Sequence, residues 1–316
     1  MSSTSNFIRT VAGDIPATGL GHTQCHEHIW LRKGPSFRVN PALCMDDYKK
    51  SLQELQSYRL AGGATIVDAQ PGGFGRDGAK LLQLSKDSGV NIIAVTGCHK
   101  KIFAEEDFST LTETALTDRF CKEITEGMPE CESAKAGVVK AAWDDGGLED
   151  YVNQKIFSAV AATAAETHAP ALIHTEKDTD VFRMLRLFES YGVGADRILI
   201  CHLDRSIPDP GLHKEVMAAG CYLCYDSVNR LKYVSHAQEL ALIGKMCEAG
   251  FADKLVLSLD TTAARLRSYG ATDMGLDYLL KDYKNMLKSA GIPEESIKKM
   301  YETNAAQFLC MGGNKK

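Results

Sequence analysis

Short apolar runs alternate with amphipathic stretches along the whole chain. The runs GHTQCHEH, ATIVDA, VNIIAVTG, AGVVKAA, PALIHTE, RILICHLD, CYLCYD and KLVLSLD read as strands, mostly continuous apolar ones that suit burial on both faces. Between them, DDYKKSLQELQSYRLAG, DGAKLLQLSKDSG, YVNQKIFSAVAATAAETH and DTDVFRMLRLFESYG carry apolar residues at helical spacing. Gly89 and Gly192 stand where two of these helices should stop, as C-terminal caps. Strand-helix units recurring about every 33 residues predict an α/β fold with a parallel sheet, a (β/α)8 TIM barrel of about 250 residues plus extensions. No Ser/Gly/Pro-rich linker interrupts the pattern. The expectation is one domain over 1–316, with the barrel at about 20–310 behind a short N-terminal extension.

Composition narrows the class. The chain has 316 residues, 44% hydrophobic and 24% charged, which is ample for a core. A net charge of −5 and the absence of a basic stripe exclude a nucleic-acid surface. No apolar run reaches the roughly 20 residues that cross a bilayer. MSSTSNFIRT lacks the apolar core of a secretory signal, so a cytoplasmic location is expected. The ten cysteines are scattered and expected to be reduced. Cys221 and Cys224 form a CxxC, but on a strand they face opposite sides, which argues against a shared metal.

Chemistry concentrates where the apolar runs end. On a strand, His26 and His28 project to one side, giving either half of a metal site or a hydrogen-bonded pair. Lys140 follows the apolar start of AGVVKAA, His174 ends ALIH, His202 ends RILICH and Asp260 ends KLVLSLD. Each has a structural reading: a satisfied core histidine, a snorkelling lysine, a helix cap. All of them together on the catalytic rim of a barrel point to a site, because ionisable groups are rarely buried without partners. His22, His168, His213 and His236 do not share the pattern and read as structural. Glu27 has the opposite strand parity to its neighbours and should support the site from the helix side. Gly73, Gly75 and Gly78 fit a dinucleotide fingerprint, yet the following strand VNIIAVTG ends without the required carboxylate. They read as a tight rim loop.

These stretches, with IRTVAGDIPATGLGHTQCHEHIW at one end and AGIPEESIKKMYETNAAQFL at the other, resemble the phosphotriesterase family of the amidohydrolase superfamily nearly end to end. The resemblance implies two divalent ions, most often zinc, with manganese, iron or cobalt as alternatives. Carried onto this sequence, His26, His28 and Asp260 hold the more buried ion and His174 and His202 the more exposed one. Lys140, carboxylated to a carbamate, bridges both. The expected nucleophile is a hydroxide shared by the ions, with Asp260 as general acid–base.

Substrate choice belongs to the loops. Arg265 and Arg267 after the eighth strand, Arg230 and Lys232 after the seventh, Arg205 after the sixth, Lys177 after the fifth and His99 and Lys100 after the third suggest an anionic small molecule. Some members of the family hydrolyse sugar lactones, phosphorylated ones included, and this chain is more similar to those than to organophosphate hydrolases. The expected activity is therefore a lactonase. A phosphotriesterase, an N-acyl amidase and a non-catalytic ligand-binding relative are the alternatives. Members of the family are often dimers, so a homodimer is a further expectation.

Overall fold

The computed structural model describes residues 6–270 and 272–312. Eight parallel strands follow one another around the sheet in chain order: β3 (His22–Glu27), β4 (Gly63–Asp68), β5 (Asn91–Gly97), β6 (Ala136–Ala142), β7 (Ala171–His174), β8 (Ile198–Cys201), β9 (Tyr222–Tyr225) and β10 (Leu255–Leu257). All eight expected strands are present. An antiparallel hairpin, β1 (Phe7–Thr10) with β2 (Gly13–Pro16), precedes them.

The helices between strands start where the sequence puts cap residues. Those at Tyr48–Leu60, Gly78–Ser88, Glu113–Thr125, Tyr151–Thr167, Val181–Ser190, Pro210–Ala218 and His236–Glu248 each begin behind an Asp, Thr or Ser whose oxygen accepts a first-turn N–H. Gly89 and Gly192 adopt the left-handed conformation that ends two of them.

Strand parity sorts the apolar residues into two layers. Val67, Val95, Val138, Leu172, Leu199, Cys224 and Val256 fill the barrel's interior, whereas Cys221 packs on the helix side. The two cysteines of the CxxC thus lie on opposite faces. Ile8 of the hairpin joins the inner layer, and Val11 N–H donates to Ile92 O at the strands' N-terminal end. The hairpin therefore plugs the floor.

The seam between β10 and β3 is closed chiefly by side chains. Asp260 N–H donates to His26 O (3.1 Å) and His26 N–H to Ser258 Oγ (3.1 Å). Glu27, fully buried, accepts from Leu259 N–H (2.6 Å), Thr261 N–H (3.0 Å) and the Thr261 hydroxyl (2.8 Å). Its carboxylate bridges first strand to last and fixes the backbone on both sides of Asp260. No helix of the described residues is long and apolar enough to cross a membrane.

Candidate metal centre

Five of the six strand-end residues singled out above meet at one rim. His26, His28, His174, His202 and Asp260 line one cavity of about 510 Å3 at the strands' C-terminal ends. Lys140 is not among the lining residues; it is fully buried, and its Nζ donates to Ala69 O (2.7 Å). Gly97, on the neighbouring strand, has a positive φ of 101°, and a Cβ there would collide with the Lys140 carbonyl. Only glycine lets β5 pass so close to the lysine.

Two arrays of donors share the floor. One ligand atom from each of His26, His28 and Asp260 lies within 4.8 Å of the others. His28 Nε2 is 3.4 Å and His26 Nε2 3.8 Å from Asp260 Oδ1. In the second array His202 Nε2 faces His174 Nδ1 at 2.8 Å. Behind His202, Nδ1 is 2.6 Å from Asp226 Oδ1, and behind His174, Nε2 is 3.1 Å from Glu176 Oε1. Asp226 also serves the first array, its Oδ2 lying 3.2 Å from His26 Nδ1.

Burial sets the protonation. It lowers His28 and His174 to about 4 and His202 well below the usual range, so these imidazoles are neutral at neutral pH. A neutral imidazole has one N–H. With that N–H turned to the carboxylate in each of His202 and His174, the facing Nε2 and Nδ1, 2.8 Å apart, would both be bare lone pairs. That arrangement is repulsive without a cation, and it fits a metal ion. Burial would also lower His26, but Cys201 and Asp226 outweigh it and hold the group at about 10. An ion at Nε2 would displace that proton.

Lys140 is lowered to about 8 by desolvation, so its neutral amine is accessible. Its charge, if retained, adds to burial in lowering His28, His99 and His174. Asp260 would be raised by burial, but Arg230 and Arg205 outweigh it and hold the carboxyl well below the usual range. Both guanidinium groups lie 2.9 Å from Oδ2, leaving Oδ1 turned toward the histidines. His202 and Asp260 both have positive φ, 72° and 48°, a strained conformation for residues with side chains. The donor set fits the two-ion centre carried over from the family.

The loop residues divide. His99, Arg230, Lys232 and Arg265 line the cavity, as do Arg205 and Lys100. Arg267 and Lys177 lie outside it, and the guanidinium of Arg267 pairs with Asp277. Arg265 donates to the carbonyls of Leu259 and Val228, bracing the loop after β10. The four other histidines have structural settings. His22 bonds Tyr58 and His213 bonds Tyr225, while His236 faces Asn229 and His168 ends a helix in the left-handed region. The glycine-rich loop places Arg76 in a buried network with Glu123 and Glu130. Asp226 and Glu176 went unrecognised in the sequence, although both close a strand segment, CYLCYD and PALIHTE, in the same way as the ligands.

Comparison with known proteins agrees with this fold. A lactonase from Listeria monocytogenes superposes with a TM-score of 0.90 at 28% identity, covering 98% of this chain and 100% of that one. An amidohydrolase from Mycoplasma synoviae superposes with a TM-score of 0.92 at 30% identity, covering 99% and 93%. In sequence, a phospho-furanose lactonase of Mycoplasmopsis synoviae is 32% identical over 96% of this chain and 92% of its own. An N-acetyltaurine hydrolase of Salmo salar is 27% identical over 98% and 99%. The phosphotriesterase family profile matches residues 6–309, and the chain belongs to that family of hydrolases.

Proposed function

We propose that this protein is a two-ion lactonase that opens an anionic, phosphorylated sugar lactone. The observation that carries the reading is that two donor arrays share one cavity with Lys100, Arg205, Arg230, Lys232 and Arg265. The resemblance to a relative named phospho-furanose lactonase supports it. In this reading His26, His28 and Asp260 hold one divalent ion and His174 and His202 the other. Zinc is the first choice, and manganese, iron and cobalt are the alternatives. When bound, the ions supply Lewis acidity, acidifying water and polarising the scissile carbonyl.

The protein's own groups do the rest. Lys140 would carry the carbamate: its neutral Nζ would add to carbon dioxide, forming an N–C bond and releasing one proton, and the carboxylate so gained would supply ligand oxygens for the ions. Asp260 accepts the proton of the attacking water and returns it to the departing ring oxygen. Arg205 and Arg230 keep that carboxylate aimed. Lys232 makes no ion pair among the described residues and sits 4.6 Å over the Tyr233 ring at the cavity mouth, so it is free to meet the substrate's phosphate. A second reading, hydrolysis of an N-acyl amino sulfonate or carboxylate, is favoured by the likeness to N-acetyltaurine hydrolases.

Elemental analysis of the purified protein, paired with a pH-indicator screen, separates the two. The screen holds neutral and phosphorylated lactones, N-acyl amino acids, N-acetyltaurine and paraoxon-like esters, with bicarbonate present. Phosphorylated lactones should turn over fastest, and Lys232→Met should raise KM for them while leaving neutral lactones unchanged. Turnover of amides alone, or of no lactone, defeats the proposal.

A further inference from the structure

Glu176 stands two residues beyond His174, on the loop after β7, with its side chain 40% exposed at the edge of the cavity. Its Oε1 lies 3.1 Å from His174 Nε2 and 2.6 Å from Nζ of Lys100, which comes from the loop after β5. The consequence is tautomeric. Asp226 takes the Nδ1–H of His202, so His202 Nε2 is a bare lone pair aimed at His174 Nδ1. His174 can offer a second lone pair there only by keeping its proton on Nε2, and Glu176 is the acceptor that keeps it there. Without that acceptor, the proton moves to Nδ1 and donates to His202 Nε2. The two rings then satisfy each other, and no donor pair is left for an ion.

We propose that Glu176 is a positioning residue for the exposed ion. It selects the Nε2–H tautomer of His174, and Lys100 holds Glu176 in place to do so. This rests on the two-ion reading above and adds a residue that the ligand set does not contain. A rim ion pair without this function would leave ion binding untouched.

The test uses the full chain as wild type, Glu176→Leu, Glu176→Gln and Lys100→Met, each loaded with manganese and then dialysed against a limiting chelator. Elemental analysis counts ions per chain, and electron paramagnetic resonance distinguishes a spin-coupled pair from a lone ion. Wild type should hold two coupled ions. Glu176→Leu should keep one and bind the second about 10–100-fold more weakly, the scale of losing a ligand's supporting carboxylate. Glu176→Gln should keep most of the pair, because its amide oxygen still accepts the Nε2–H, and Lys100→Met should fall between. Glu176→Ala replaces the leucine variant if circular dichroism shows it misfolded. A coupled pair of unchanged affinity in the truncated variant overturns the proposal. Equal loss in Glu176→Gln and Glu176→Leu also overturns it, since charge rather than tautomer would then be at work. A wild type holding fewer than two ions defeats the two-ion reading instead.

Discussion

Asp226 lies behind the donor arrays, yet one carboxylate there meets a histidine in each: Oδ1 is hydrogen-bonded to His202 Nδ1, and Oδ2 makes a 3.2 Å ion-pair contact with His26 Nδ1. An asparagine can keep its oxygen for His202 but loses the charge and turns an NH2 toward His26. Asp226→Asn should therefore weaken ion binding about 10–100-fold with the fold intact, read by competition with a coloured chelator. Unchanged affinity would remove Asp226 from the centre. The six proposed ligand positions stand out in the sequence because each is an ionisable residue at or near the end of an apolar strand. Asp226 and Glu176 occupy similar positions and were still overlooked, because their partners lie on rings that only folding aims at them. Arg267 shows the converse. In the sequence it looks like a free cation beside Arg265, but Asp277, ten residues on, pairs with it.

At the scale of elements, the β3–β10 seam depends on Glu27. Truncating it to alanine strands the buried N–H groups of Leu259 and Thr261, at about 1–3 kcal/mol for each unsatisfied donor, while the Thr261 hydroxyl keeps His28 O as acceptor. Glu27→Ala should lower the melting temperature of metal-free protein well beyond the loss in Glu27→Gln, as calorimetry can check. Strand parity placed Glu27 off the metal side, but parity does not reveal that its carboxylate ties the two ends of the sheet together. That contact spans 232 residues and requires a barrel that is already closed. Helix His236–Glu248 gives a pH prediction. Burial, with Asp204 adding repulsion, raises Glu239 to about 8. The folded state thus holds a proton that the unfolded chain, with an ordinary carboxyl, has lost, so stability falls as pH rises from about 4.5 to about 8. Glu239→Gln should flatten that fall in melts run across the window. A parallel decline in both proteins would show that Glu239 is not its source.

For the whole molecule, ions that bind only the folded chain stabilise it by mass action, about 2.7 kcal/mol at a hundredfold excess over Kd. Chelation should lower the melting temperature and readdition restore it, while a chelator-insensitive melt would argue against a preformed centre. The barrel itself was readable because eight apolar runs in strict alternation with helices allow few other architectures. The hairpin was not, since β1 and β2 are four residues each and gain their place by packing against the finished floor. That plug has a kinetic consequence. With the bottom sealed, the vestibule above the centre is entrance and exit alike. On the proposed reading, a phosphorylated lactone would leave as a ring-opened acid with one negative charge more than it brought in, past the same cationic lining. Escape of the acid, rather than ring opening, would then limit turnover, and added salt should quicken the steady state while leaving the first turnover's burst unchanged.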